Sequence, residues 1–133
     1  MAAARDALTD TKGAIVCISS ICGLEVIAGA PITYSPTKAA LHAYVRGIAR
    51  PIGKQGVRIN AIAPRNILCE SSVWSRKLSE NGAAVQNMLE TDVALIRLGT
   101  PQDVASLVVY LASARACFAS GGIWTLDGGQ VHS

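Results

Sequence analysis

Residue type and spacing come closest to chemistry in the segment Tyr34-Ser35-Pro36-Thr37-Lys38. On a helix, residues four apart lie one above the other on the same face, so a phenol and an ammonium would meet there. A phenol titrates near 10 and is a poor acid or base at neutral pH. A cation about 4–6 Å away favours its anion, which makes such a pair suited to proton transfer. Many helices carry a tyrosine and a lysine at this spacing as a mere surface contact, so the pair needs further partners. Ser20, at the end of an apolar run upstream, is one candidate. Pro64, at the end of a second such run, marks another place where a ligand site would form.

The elements around these residues set whether they meet. Ala14-Ile15-Val16-Cys17-Ile18-Ser19 is compact, apolar and rich in β-branched residues, and it reads as a strand buried on both faces. Residues 2–8 read as the end of a helix, 9–13 as a turn and 20–33, with Gly23, Gly29 and Pro31, as a loop. Residues 34–50 repeat apolar side chains at three- and four-residue spacing (Ala40, Leu41, Tyr44, Val45, Ile48), which predicts a helix. Pro36 is tolerated in its first turn, whereas Pro51 predicts a kink or an early stop.

Val57-Arg58-Ile59-Asn60-Ala61-Ile62-Ala63 is a second strand. Residues 71–98 hold one or two helical segments with a weaker stripe that includes Val73, Trp74, Leu78, Val85, Met88 and Leu89. Thr100, Pro101 and Asp103 read as the cap, first and third positions of a last helix whose core face is Val104, Leu107, Val108 and Leu111. Ile123-Trp124-Thr125-Leu126 is a third strand. Strands alternating with helices predict right-handed βαβ units and a parallel sheet. In such sheets ligands bind at the carboxyl ends of the strands, where Ser20, the start of the Tyr34 helix and the Pro64 loop converge.

The 133 residues suit one domain, and a composition half apolar and 16% charged supports a buried core. The net charge of +3 is scattered. Arg46, Arg50, Lys54 and Arg58 follow one helix and its exit without interleaved aromatics, which reads as a solvated face and not as a nucleic-acid footprint. Cys17, Cys22, Cys69 and Cys117 form no CxxC pair, and His42 and His132 complete no zinc pattern, so reduced thiols and no metal are expected. No signal-peptide core and no long apolar run are present, so the expectation is a cytoplasmic protein without a membrane span.

The block from Gly13 through Ser20, followed by Tyr34-Ser-Pro-Thr-Lys38-Ala-Ala-Leu, resembles the active-site region of the short-chain dehydrogenase/reductase family. Gly56 through Pro64 is similar to that family's next strand, and Leu98 through Asp103 and Gly121 through Gly129 are similar to its C-terminal signature. The nearest branch is the one that includes 3-oxoacyl-carrier-protein reductases. The resemblance implies an α/β fold: the C-terminal part of a Rossmann-type parallel sheet with flanking helices, residues 1–133 forming a single partial domain. It implies NAD(P)-dependent hydride transfer between a carbonyl and a secondary alcohol, with NAD or NADP as cofactor, and a homo-oligomer. Tyr34 would be the general acid or base, and Lys38 would favour its anion and bind the nicotinamide ribose. Ser20 would bind the substrate oxygen, being preferred over Ser19 for its offset to Gly23. Pro64 and the backbone of Ile67 would lie beside the nicotinamide. Val73, Trp74 and Leu78 would cover the substrate, or equally pack the core.

Four features depart from the family. The Gly-rich Thr-Gly-x-x-x-Gly-x-Gly turn that cradles the pyrophosphate is not among these 133 residues. Arg65 stands where the family has glycine, Cys69 where it usually has threonine, and Pro51 lies within the active-site helix. Weak or absent activity of the chain alone is therefore expected. The alternative is a truncated, non-catalytic chain that acts as an assembly or dimerisation module.

Overall fold

The computed structural model describes residues 4–131. Its centre is β2 (Arg58–Pro64), whose residues 59–63 are all buried. β1 (Ala14–Ile18) pairs with it in parallel, Ala14 opposite Arg58 and Ile18 opposite Ile62. β3 (Ile123–Leu126) pairs in parallel on the other side, Ala61 opposite Ile123 and Pro64 opposite Leu126. Among the described residues the sheet therefore has the order β1-β2-β3.

Alternation along β2 builds two cores. Ile59 and Ala61 face Val45, Leu41, Ile48 and Ile52 of α2 (Tyr34–Gly53). Ile62 points the opposite way, onto Leu111, Leu107 and Val108 of α4 (Pro101–Ala112). Helix, sheet and helix form three layers, as the alternating pattern predicts. α3 (Val73–Asp92) carries its own cluster of Val85 and Leu89 with Val93, against Trp74, Met88 and Leu98. Asn81 breaks that helix with φ −155° and ψ 76°, and its carboxamide oxygen accepts from the Ala84 N–H, so two helical segments follow one another.

Several expectations change on contact with the fold. β1 is not buried on both faces: Ile18 is 49% exposed and the other four residues are half-buried. An edge strand with one neighbour lacks the cover that a central strand receives. The first helix, α1, spans Arg5–Thr11 and buries nothing. It outruns the predicted turn because the Thr11 hydroxyl donates back to the Ala7 carbonyl at 2.7 Å, and Lys12, left-handed at φ 50°, closes it. The part of that prediction covering residues 2 and 3 lies outside the described residues, as does His132. α2 runs through Pro51 to Gly53. Gly47 and Pro51 are both exposed, so the carbonyl that Pro51 cannot serve is not sealed in the core. The buried face of α2 is Val45 with Leu41 and Ile48, whereas Ala40 and Tyr44 are exposed.

Arg58 is not part of a solvated basic face. It opens β2, and its guanidinium donates to the carbonyls of Leu111 at 2.7 Å and Ser113 at 3.0 Å, closing the C-terminal end of α4. At the other end of α4 the predicted cap is present. Thr100 Oγ1 accepts from the Asp103 N–H at 3.2 Å, and Asp103 accepts from the Thr100 N–H at 2.8 Å. Thr100→Ala should cost about 1 kcal/mol in urea unfolding.

Arg97 grips the same carboxylate at 2.8 and 3.0 Å. First that guanidinium, then the Thr100 N–H and hydroxyl, hold the Asp103 carboxyl well below its ordinary 3.8. The resulting stabilisation is complete above that ordinary value and is lost as the pH falls from it toward the depressed folded value. Asp103→Asn should therefore flatten the acid limb of the stability profile below about pH 4.

Candidate active site

The chain leaves β1 still hydrogen-bonded to β2 through the Ser19 N–H and the Ile62 carbonyl at 2.8 Å. Ser20 then caps a 3-10 turn, Ile21–Gly23. Its Oγ accepts from the Cys22 N–H at 3.2 Å. That bond uses an acceptor site and leaves the hydroxyl proton for another partner. Ser19 is buried too, and its hydroxyl has no hydrogen-bond partner.

The turn is seated on α2 at Gly23. A Cβ built there would lie 2.5 Å from Cε1 of His42 and 2.8 Å from the carbonyl carbon of Lys38. Only a residue without a side chain fits, and the backbone of Lys38 cannot move aside. Gly23→Ala should lift the turn and lower stability by about 1–3 kcal/mol, read as a shift of the urea midpoint.

Tyr34 is the first residue of α2, and its N–H donates to the Pro31 carbonyl at 2.9 Å. The Lys38 ammonium lies 5.5 Å from the centre of the Tyr34 ring, within cation–π range. The phenol is accessible: Tyr34 is 39% exposed. The geometry thus joins Tyr34 to Lys38 directly, and joins the Ser20 turn to α2 at Lys38 and His42. An apolar cavity of 340 Å³ lies elsewhere, lined by Leu8, Ile15, Ile48, Ile52 and Val57 near the opposite strand ends.

The third segment of the candidate site follows β2. Pro64 ends the strand opposite Leu126, and the next N–H, that of Arg65, donates to the Leu126 carbonyl at 3.0 Å. Asn66 takes the left-handed conformation (φ 53°) that would suit glycine. Ile67 bridges Gly99 through the Leu68 N–H and the Asn66 carbonyl, which turns the Ile67 N–H to the other side. The Arg65 side chain does not turn to solvent. It pairs with Glu25, which ties the Pro64 loop to the loop after Ser20 and leaves Arg65 19% exposed.

Burial raises the Cys17 thiol above its ordinary value. Of the residues read as substrate cover or core, Trp74 packs on the α3 cluster, while Val73 and Leu78 are exposed. Sequence reasoning passed over Glu25 and His42. The signal for His42 was present: Tyr34, Lys38, His42 and Arg46 recur every four residues along one face of α2.

A family profile described as enoyl-(acyl carrier protein) reductase matches residues 1–131. The chain belongs to the short-chain dehydrogenase/reductase family. It is 36% identical over 121 residues to isoepoxydon dehydrogenase patN of Penicillium expansum, covering 91% of this chain and 46% of that protein. It is 32% identical over 129 residues to the 3-oxoacyl-[acyl-carrier-protein] reductase FabG of Chlamydia muridarum, covering 96% of this chain and 48% of that one.

Among solved structures of this family, ElxO with NADP bound superposes with a TM-score of 0.80 at 32% identity, over 98% of this chain and 51% of that one. 4-Hydroxyisoleucine dehydrogenase complexed with NADH superposes with a TM-score of 0.74 at 31% identity, over 95% and 50%. The short-chain dehydrogenase/reductase fold expected from the motifs is therefore present, and the chain spans about half the length of the curated relatives it matches. Among the described residues no helix is long and apolar enough to cross a membrane.

Proposed function

We propose that residues 1–133 form one partial Rossmann-type domain that carries the proton-transfer end of an NAD(P)-dependent carbonyl reductase or alcohol dehydrogenase. The observation that supports this reading is the contact of Lys38 with Tyr34 on the same stretch of α2 that seats the Ser20 turn through Gly23. The Ile67 N–H, turned out of its bridge beside Pro64, is a donor suited to a nicotinamide carboxamide. The residues present thus fit the nicotinamide half of a dinucleotide. Relatives solved with NADP and with NADH agree with either cofactor.

When bound, the dinucleotide supplies or accepts the hydride. Tyr34 gives its phenolic proton to the substrate oxygen in reduction and takes it back in oxidation. Lys38 stabilises the negative charge that Tyr34 then carries. The Ser20 hydroxyl, accepting from Cys22, donates its own proton to the same substrate oxygen as charge grows there.

The phosphate half has no Gly-rich turn among these residues, so the chain alone binds dinucleotide weakly, at about millimolar Kd or above. Titration with NADH and NADPH by fluorescence tests this, and micromolar binding with sustained ketone turnover would overturn it. A second reading, an assembly module, is supported by the open edge of β1. Size exclusion of the chain with and without a full-length relative separates the two: a mixed complex without turnover favours the module.

A further inference from the structure

His42 lies one turn after Lys38 and one turn before Arg46 on α2, with its ring edge against Gly23. It is 2% exposed, and neither ring nitrogen completes a hydrogen bond. A buried polar ring without partners is costly, and a buried charged one is costlier. The charges that act on it are Lys38 and Arg46, both positive and both on its own helix. The turn packed on it acts through the Gly23 carbonyl, and no anion is among the groups that act on the ring.

We propose that His42 is a positioning residue for Ser20: the uncharged imidazole, wedged under Gly23, holds the Ile21–Gly23 turn on α2, and protonation of the ring releases that turn.

Two features make the turn the part that gives. Its hydrogen bonds are few, the Cys22 N–H to Ser20 Oγ, the Gly23 N–H to the Ser20 carbonyl, and the Leu24 and Glu25 N–H groups both to the Ile21 carbonyl, beside the buried Ile21 side chain. The ring is fixed to a helix of 20 residues. Burial, opposed by the nearby Gly23 carbonyl and reinforced by Arg46 and Lys38, pushes the imidazole below its ordinary value of 6.5. A histidine with a lowered folded value contributes no penalty above the ordinary value, and an increasing one as the pH falls beneath it. Its meaning for catalysis rests on the assignment of Ser20 to the site made above. The readouts below need neither cofactor nor substrate, so they stand or fall separately from that assignment.

The experiment is amide hydrogen exchange by NMR on the 133-residue chain between about pH 5 and pH 8. After correction for intrinsic rates, opening at Cys22, Gly23 and Leu24 should rise below 6.5 by a factor approaching about tenfold per pH unit. Amides of β2, such as Ala61, should not follow. His42→Gln keeps a polar, uncharged side chain and should abolish the rise. A rise that persists in His42→Gln, or opening independent of pH in the parent chain, overturns the proposal. Should His42→Gln fail to fold, titration of the His42 ring in the parent chain decides: a midpoint below 6.5 that tracks the turn amides supports the device, and a midpoint at or above it sinks it.

Discussion

Tyr34→Phe is expected to lower the rate of carbonyl reduction by about 10²–10⁴-fold while leaving the urea midpoint unchanged. The substitution removes one oxygen. The ring that Lys38 covers at 5.5 Å stays, so the packing of the first turn of α2 stays with it. On the proposed role, what is lost is the proton that the substrate oxygen would receive as hydride arrives at its carbon. The measurement is single-turnover loss of reduced-nicotinamide absorbance in a chimaera that supplies the Gly-rich half from one of the relatives. Binding of the dinucleotide, measured on the same chimaera, should change little. A chimaera that turns over ketone at an unaltered rate after Tyr34→Phe would remove Tyr34 from the chemistry and the oxidoreductase reading with it.

The largest loss of stability should come from Asn60→Ala, about 3–5 kcal/mol. Asn60 lies in the middle of β2 and is 1% exposed. Its Nδ2 donates to the Ala119 carbonyl at 2.8 Å, and its Oδ1 accepts from the Gly122 N–H and the Trp124 indole N–H, each at 3.1 Å. One side chain thereby ties the central strand to the segment that leads into β3. Alanine would remove three hydrogen bonds from partners that are half-buried (Ala119, Gly122) or exposed (Trp124, 37%), and would open a void at the buried Asn60 position itself. Urea unfolding followed by tryptophan emission reads both the midpoint and the Trp124 environment. A loss below about 1 kcal/mol would mean that water replaces the carboxamide, and that the clamp is not what holds β3 in place.

The order of elements was legible because apolar spacing is a local property. β2 was expected one residue early, over 57–63, and runs over Arg58–Pro64. Proline could be included because it ends the strand, where its missing donor breaks no ladder. The cap of α4 was legible to the residue, since Thr100, Pro101 and Asp103 act within one turn of backbone. At Pro51 local sterics allowed a kink or an early stop; the stop does not occur, since α2 continues to Gly53 past a residue, Gly47, that lies exposed one turn earlier.

Arg58 and Asn60 were illegible for the opposite reason. Their partners, Leu111, Ser113, Ala119, Gly122 and Trp124, lie far along the chain, and nothing in the nearby residues announces a polar clamp.

At the candidate site the same division holds. The sequence alone determined that Tyr34 and Lys38 share a helix face, because a four-residue step does so on any helix, that Ser20 follows a strand of a parallel sheet, and that Pro64 lies at the end of another. It also determined the family, through motifs in the right order. Only the tertiary structure decided that β1 is a half-exposed edge, that Arg65 reaches across to Glu25, that Asn66 takes the left-handed turn, and that His42 lies buried beneath Gly23. These are contacts between segments that sequence spacing does not relate. Burial and charge at such contacts depend on which surfaces the fold presses together, and periodicity carries no record of that.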